Sequence, residues 1–228
     1  MRDMENFKRK FAQFSEENNR LIDEIHELSN KKDATQEEYE ELYEKADEIN
    51  RKINKLMTSA DWFVKEAIKN YGYLRLGDQY AIESVSEYRG FKYVIALMSL
   101  GHRCGYVGIP KDHELYGKHY NNILLDCHGG LTYSGDGYPL DDDLWYIGFD
   151  CAHWGDGKDY DALEKYFGQS KEVMKHVKLH KMLDKKYGSD GEPKSFEYVQ
   201  NEIYGLINQL LDDNEPHWWE DEDDNGEE

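Results

Sequence analysis

Apolar residues in the first 58 positions recur at alternating intervals of three and four, the spacing of one face of an α-helix. The first series is Phe7, Phe11, Phe14, Leu21, Ile25 and Leu28, and the second is Tyr39, Leu42, Ala46, Ile49, Ile53 and Leu56. Between them, the polar stretch SNKKDATQEE carries Thr35 and, three residues later, Glu38, which is a capping-box signature. Residues 1–58 therefore predict an antiparallel helical hairpin that resembles a coiled coil.

Asn18 lies in register with the first apolar series and is its one polar member. A buried amide lowers stability but restricts register and partner number. Two interpretations stay open: Asn18 lies at the edge of a single hairpin, or it faces a second copy in a homo-oligomer formed through this arm. In both cases the hairpin is a spacer or an interaction arm and not a catalytic element.

Residues 59–92 predict a connecting helix and a loop. The stretch SADWFVKEAIKNYGYL begins with Ser59, a residue type favoured at helix N-caps, and contains Gly72 near its end, where glycine commonly terminates a helix.

From residue 93 the pattern changes to short apolar runs rich in Val, Ile, Tyr and Phe, which favour β-strands. Four runs are typical of strands: FKYVIALMS, CGYVGIP, NNILLDC and LWYIGFD. Their nearly continuous apolar character indicates burial on both faces. Helical stretches follow, and the last carries an apolar stripe from Ser195 to Leu211 that must cover the sheet. Residues 93–211 therefore predict an α+β core, with a small mixed or antiparallel sheet covered by helices.

The chain is strongly acidic, with 48 Asp and Glu against 28 Lys and Arg and a net charge of −20. This charge repels a phosphate backbone, so we expect no direct nucleic-acid binding. Ten of the 17 residues from 212 to 228 are acidic and none is Lys or Arg, which predicts a disordered acidic tail. Trp218 and Trp219 in this tail offer apolar contacts. The same acidity permits another function, an inhibitor that blocks a basic nucleic-acid-binding surface of a partner, as an anti-CRISPR protein does.

Three features that the sequence lacks indicate where in the cell to expect the protein. No apolar run reaches the roughly 18 to 20 residues that a spanning helix needs, and the N-terminus is too polar for a secretory signal. Cys104, Cys127 and Cys151 are odd in number and form no CxxC pair, so a disulfide framework is not indicated. We therefore expect a cytoplasmic protein without membrane contact.

The reactive side chains concentrate between Leu124 and Asp156, in LLDCHGGLTYSGDGYPLDDDLWYIGFDCAHWGD. His128 precedes a glycine pair that can take positive φ and bring backbone amides close to a ligand. The candidate ligand-binding residues are Gly129, Gly130, Thr132, Tyr133, Ser134 and Trp154. In this interpretation the amides and hydroxyls bind a small polar or phosphorylated molecule, and Trp154 stacks on a base or sugar.

Three other interpretations of the same stretch stay open. His128, Asp150, His153 and Asp156 are candidate ligands for a divalent metal ion in a hydrolytic site, although their spacing matches no known zinc motif. Cys151 is a candidate nucleophile with His128 or His153 as its base and Asp150 orienting that base. In the structural interpretation, the histidines are satisfied core groups and the aspartates cap loops.

The blocks YVGIPKDHELYG, HGGLTYSG and LWYIGFDCAHWGD, with the late helix SFEYVQNEIYGLINQLLD, resemble an uncharacterised domain family associated with bacteriophages, prophages and mobile elements. The resemblance covers residues 93–211 and leaves out the hairpin. It implies a phage accessory protein in the host cytoplasm that counters host defence or signalling, but it implies no chemistry. The predicted function is therefore binding, with or without hydrolysis, of a nucleotide-like ligand; the alternatives are the acidic inhibitor and a metal-dependent hydrolase.

Overall fold

A computed structural model of the chain describes residues 2–31, 35–188 and 191–212. The predicted acidic tail falls almost wholly at 213–228, and this part of the chain, with Trp218 and Trp219, lies outside the described residues.

The N-terminal helical hairpin is confirmed. Helix α1 (Arg2–Ser29) packs against α2 (Gln36–Thr58) through a small apolar core. This core consists of Leu21, Ala46 and Ile49, with Phe14, Ile25, Leu42 and Ile53 packed around them. The capping box is present as predicted, because the Glu38 N–H donates to Thr35 Oγ1 at 3.2 Å and the Thr35 N–H donates to Glu38 Oε2 at 2.8 Å.

Asn18 places its side-chain oxygen inside the fold. Oδ1 is buried by the chain's own atoms and has no hydrogen-bond partner within 2–31, 35–188 and 191–212. A second copy therefore cannot reach this atom without a rearrangement of the hairpin, and the predicted homo-oligomer stays a prediction.

The sheet has six strands, all antiparallel, in the order β1-β2-β3-β4-β6-β5. The strands are β1 (Leu74–Leu76), β2 (Tyr80–Tyr88), β3 (Phe91–Met98), β4 (Arg103–Ile109), β5 (Tyr133–Gly135) and β6 (Trp145–Asp150). The pairing of β4 with β6 sets Cys104 opposite Asp150, so the end of β6 lies beside the start of β4. The site described below is built around this end of the sheet.

Two sequence predictions about the strands are corrected. Strands β1 and β2 lie within 59–92, where a connecting helix and loop were predicted, because the polar residues of YAIESVSEY hid a strand whose first half is buried. The prediction of a strand at NNILLDC is wrong. A 3-10 turn at Tyr120–Asn122 leads into an extended segment outside the sheet. Ile123 and Leu125 are buried while Leu124 is exposed, so the segment packs through one side without pairing into the sheet.

Helices cover both faces of the sheet, as the continuous apolar strands predicted. The helices around it are α3 (Asp61–Tyr71), α4 (Tyr160–Phe167), α5 (Lys171–Tyr187) and α6 (Phe196–Asp212). Alternate side chains of β3 point to opposite faces. Ile95 shares an apolar cluster with Ile203 of α6, whereas Ala96 shares one with Val64 of α3. No described helix combines the length and the apolar character that crossing a bilayer requires.

A buried ion pair fixes the end of the sheet that carries the site. The Arg103 guanidinium donates to both carboxylate oxygens of Glu83, at 2.7 and 3.1 Å, and to Asp159 Oδ2 at 2.8 Å. It also donates to the backbone carbonyl of Lys194 at 3.0 Å, which joins the segment before α6 to the sheet. The Cys151 N–H donates to the carbonyl of Arg103 at 2.9 Å, so the residue that follows β6 is fixed as well.

Candidate functional site

Two loops bring His128, His153 and Asp156 together. His128 lies in the segment before β5, and the other two residues lie in the loop after β6. One potential ligand atom from each of the three residues lies within 4.8 Å of the others. Among the residues that the structure describes, this is the one group of three or more His, Cys, Asp or Glu close enough to share a metal ion. These three residues are called the His-His-Asp cluster below.

Asp156 is the centre of this cluster. Its buried carboxylate accepts from the His153 N–H at 2.9 Å through Oδ2, and the same oxygen lies 2.8 Å from His128 Nε2. Lys194 Nζ lies 3.3 Å from the other oxygen, Oδ1. Burial opposes ionisation of Asp156, but the hydrogen bonds from His128 and from the His153 amide, with Lys194, outweigh it and lower its pKa. Asp156 is therefore an anion at neutral pH.

Helix α6 holds His128 in place. The His128 N–H donates to Glu202 Oε2 at 2.7 Å, and Nδ1 of its ring lies 3.0 Å from the Tyr198 hydroxyl. The Gln209 side chain accepts from the Asp126 N–H at 2.7 Å and donates to the Asp126 carbonyl at 2.8 Å. Tyr198, Glu202 and Gln209 follow at intervals of four and seven, so one face of α6 anchors the loop that carries His128.

The glycine pair after His128 sets the position of the loop, and the Gly130 amide is used within the protein. Gly129 has φ +66°, and a Cβ built on it would lie 2.1 Å from Cε1 of the His153 ring. Only glycine allows this loop to lie against His153. The Gly130 N–H donates to the Cys127 carbonyl at 3.0 Å, and the His128 N–H is taken by Glu202. The amides of His128 and Gly130 are thus satisfied within the protein.

The three predicted hydroxyl residues serve the fold at the sheet edge. Thr132 pairs its backbone N–H with the Gly148 carbonyl at 2.9 Å. The Tyr133 hydroxyl donates to the Tyr138 carbonyl at 3.2 Å, and Ser134 Oγ accepts from the Tyr120 N–H at 2.9 Å. The hydroxyls of Tyr133 and Ser134 and the backbone N–H of Thr132 thus have partners away from the His-His-Asp cluster.

Asp150 and Cys151 border the cluster without entering it. Asp150 Oδ1 accepts from the Ala152 N–H at 3.0 Å and lies 4.0 Å from His153 Nδ1. The side chain of Cys151 is buried in the apolar cluster under α6. Burial raises the pKa of Cys151 to about 12, and it raises that of Cys127 to about 12 as well. Both thiols are protonated at neutral pH, which does not favour the thiol-nucleophile interpretation.

A cavity of about 320 Å³ opens beside the cluster. Its walls include Leu100, His102, His153, Trp154, Asp156 and Lys158. The relative exposure of Trp154 is 101%, so its indole has no packing contact that protects it from solvent. His102, at the turn between β3 and β4, is partly buried, and this burial lowers its pKa, so its imidazole is neutral at neutral pH.

The sequence did not reveal the residues that contact the cluster from distant positions along the chain. Lys194, Tyr198 and Glu202 contact the cluster from α6 and the segment before it, about 40 to 75 positions away along the chain. The polar pair Tyr198 and Glu202, at i and i+4 beside the apolar stripe, was the one available signal. Nothing in the sequence linked that pair to His128.

The residues of the cluster fit a divalent metal ion. His153 Nδ1 is buried, has no hydrogen-bond partner among the residues that the structure describes, and lies 3.6 Å from Asp156 Oδ2. Ligand atoms in a tetrahedral zinc site lie about 3.3 Å apart, since each is roughly 2.0 Å from the ion. The separations of 2.8 and 3.6 Å from Asp156 Oδ2 to the two imidazoles lie on either side of this value. Two imidazoles and a carboxylate are ligands that suit Zn²⁺, Mn²⁺ and Fe²⁺.

Comparisons with known proteins add no relative to this picture: no protein family, no curated protein and no solved structure matches the chain.

Proposed function

We propose that this protein is a metal-dependent hydrolase whose ion is held by His128, His153 and Asp156. The observation that carries the proposal is the convergence of three ligand atoms within 4.8 Å, one of them a buried ring nitrogen of His153 without a partner. A bound ion would supply that partner, because a buried polar atom left unsatisfied costs about 1–3 kcal/mol.

The ligand number favours a reactive site over a structural one. Structural zinc sites have four protein ligands, whereas three protein ligands leave a position for water or substrate. A divalent ion at such a site acts as a Lewis acid and lowers the pKa of water, which is the chemistry of metal-assisted hydrolysis. The open cavity of about 320 Å³ is lined by His153 and Asp156 of the cluster, so a small molecule in it lies beside the proposed metal centre.

The surrounding residues orient the ligands and provide for proton transfer. Tyr198 contacts Nδ1 of His128, which leaves Nε2 of that ring facing Asp156. Such second partners fix the orientation of a metal-binding imidazole. Asp150, at 4.0 Å from His153 Nδ1, is a partly exposed carboxylate at the edge of the cluster and can accept a proton from attacking water.

The test of the metal centre is a titration of chelator-treated protein with Co²⁺, followed by visible absorption, and with Zn²⁺, followed by calorimetry. We expect one ion per chain, and a fall in affinity of more than about 100-fold for His128→Ala, His153→Ala and Asp156→Asn. The matched control is His176→Ala, because His176 is an exposed imidazole on α5 that pairs with Glu172 at 3.4 Å. Circular dichroism of each variant checks that the fold is retained.

The test of hydrolysis uses p-nitrophenyl acetate, p-nitrophenyl phosphate and bis(p-nitrophenyl) phosphate with the reconstituted protein. We expect release of p-nitrophenol from at least one of them, its loss with EDTA, and its return with added Zn²⁺ or Mn²⁺. Wild-type protein that binds neither Co²⁺ nor Zn²⁺, or cluster variants that bind as the wild type does, would overturn the metal centre. Bound metal without any metal-dependent hydrolysis would overturn the hydrolase.

The wider biological setting is proposed on different grounds. An accessory role in a bacteriophage or prophage, directed against host defence, is supported by the motifs HGGLTY and GFDCAH alone. A hydrolase of host signalling molecules would be compatible with that role.

A further inference from the structure

The cavity beside the His-His-Asp cluster has properties that point to one class of ligand. At about 320 Å³ it lies at the small end of ligand pockets, which span roughly 300–1,000 Å³, so it admits a metabolite-sized molecule and not a polymer. His153 and Asp156 belong both to its wall and to the cluster. A ligand in the cavity therefore lies beside the residues that hold the proposed ion.

Trp154 is the feature that the fold does not explain. Tryptophan is among the most buried residue types on average, yet the relative exposure of Trp154 is 101%. It lies between two members of the cluster, one residue after His153 and two before Asp156. Leu100, also on the cavity wall, is 60% exposed, so two large apolar side chains face solvent at one opening. An exposed indole at this position offers a flat face for stacking on a planar ring.

The local charge favours an anionic group despite the net charge of −20. Lys158 lies on the cavity wall, and Lys194 contacts Asp156 Oδ1 at 3.3 Å and so offsets the one carboxylate in the cluster. A divalent ion would add two positive charges beside these lysines. Together these charges would attract a phosphate to the cavity despite the acidity of the chain as a whole.

We infer that the cavity binds a mononucleotide, with the nucleobase stacked on Trp154 and the phosphate between Lys158 and the metal centre. The inference rests on the proposed function, and it names the class of substrate that the same site takes. Recognition comes from the side chains of the β6–α4 loop, and not from the Gly130 amide, which is used within the fold.

The experiment is calorimetry of Co²⁺-loaded protein with AMP, GMP, CMP, UMP, ribose 5-phosphate and adenosine. We expect at least one mononucleotide to bind about 10-fold or more tightly than ribose 5-phosphate, since stacking on an aromatic side chain contributes that much or more. Trp154→Ala should remove this preference while leaving ribose 5-phosphate and Co²⁺ binding unchanged. Lys158→Met should weaken the mononucleotide and ribose 5-phosphate together, but not adenosine.

The matched control is Tyr71→Ala, which removes an exposed aromatic ring, 75% accessible, at the end of α3. It should change none of these affinities. Ribose 5-phosphate binding as tightly as every mononucleotide, or a Trp154→Ala variant that keeps the preference, would overturn the inference. If Co²⁺ itself fails to bind, the proposed function has failed. If Co²⁺ binds and no mononucleotide does, the metal centre is supported and only the inference of nucleotide binding is wrong.

Discussion

Single residues determine whether the two loops can meet at the His-His-Asp cluster. Gly129 lies against the ring of His153 with φ +66°, so both its backbone conformation and its missing side chain are required. Its neighbour Gly130 has φ +84° but no atom within 4 Å of the position that a Cβ would take. A substitution at Gly130 therefore introduces backbone strain alone, whereas a substitution at Gly129 introduces backbone strain and a steric clash with His153.

We expect Gly129→Ala to weaken Co²⁺ binding by at least about 10-fold, because the new methyl group displaces the His153 imidazole, which we propose as a metal ligand. Gly130→Ala should lower the free energy of unfolding by about 1 kcal/mol through backbone strain, with Co²⁺ affinity unchanged. Absorption titrations and urea unfolding of the two variants provide the comparison. Equal loss of Co²⁺ affinity in both variants would show that the contact with His153 is unimportant.

At the scale of elements, helix α6 has two structural roles. Its apolar stripe covers the sheet through Val199, Ile203 and Leu206, and its polar flank anchors the loop with His128. The 3.6-residue period predicted the stripe, because that period is a local property of the sequence. The anchoring contacts could not be predicted, since they depend on how the helix lies against a loop about 70 residues earlier. His128, His153 and Asp156 could likewise be predicted as candidates from their residue types in one local stretch. The sequence could not predict that Thr132, Tyr133 and Ser134 lie apart from them, because that depends on how the loops pack.

The ion pair of Arg103 with Glu83 ties β2 to β4, and its contact with Asp159 ties both strands to the start of α4. We expect Arg103→Met to lower the free energy of unfolding by about 3–5 kcal/mol, because it leaves the Glu83 carboxylate buried without a positive charge beside it and with only the Tyr166 hydroxyl, at 2.9 Å, donating to it. The control is Lys111→Met, which breaks an exposed pair with Asp143 and should leave the urea midpoint unchanged. A loss for Arg103→Met no larger than for this control would mean that solvent reaches Glu83.

At the scale of the whole molecule, charge and site are separate features of the chain. The acidic residues are most concentrated in the segment 213–228, whereas the cluster and its cavity lie at one end of the sheet. The acidic-inhibitor alternative depends on the first feature, and the hydrolase depends on the second. A single truncation therefore distinguishes the two proposals.

Removal of residues 213–228 takes away nine acidic residues and no Lys or Arg, which changes the net charge from −20 to −11. We expect the truncated protein to keep the wild-type Co²⁺ affinity and metal-dependent hydrolysis, because every contact described for the cluster lies before residue 213. An anti-defence assay in infected cells, with His128→Ala in the full-length protein as the comparison, provides the second measurement. Activity lost on truncation but retained by His128→Ala would support the acidic inhibitor instead of the hydrolase.

The anchoring of the His128 loop by α6 has a consequence for biosynthesis. Glu202 and Gln209 are made about 75 to 80 codons after the loop that they hold, so a ribosome-bound chain ending before them lacks the contacts that aim His128 at Asp156. An ion would then be captured only after translation has passed these residues and the helix has docked.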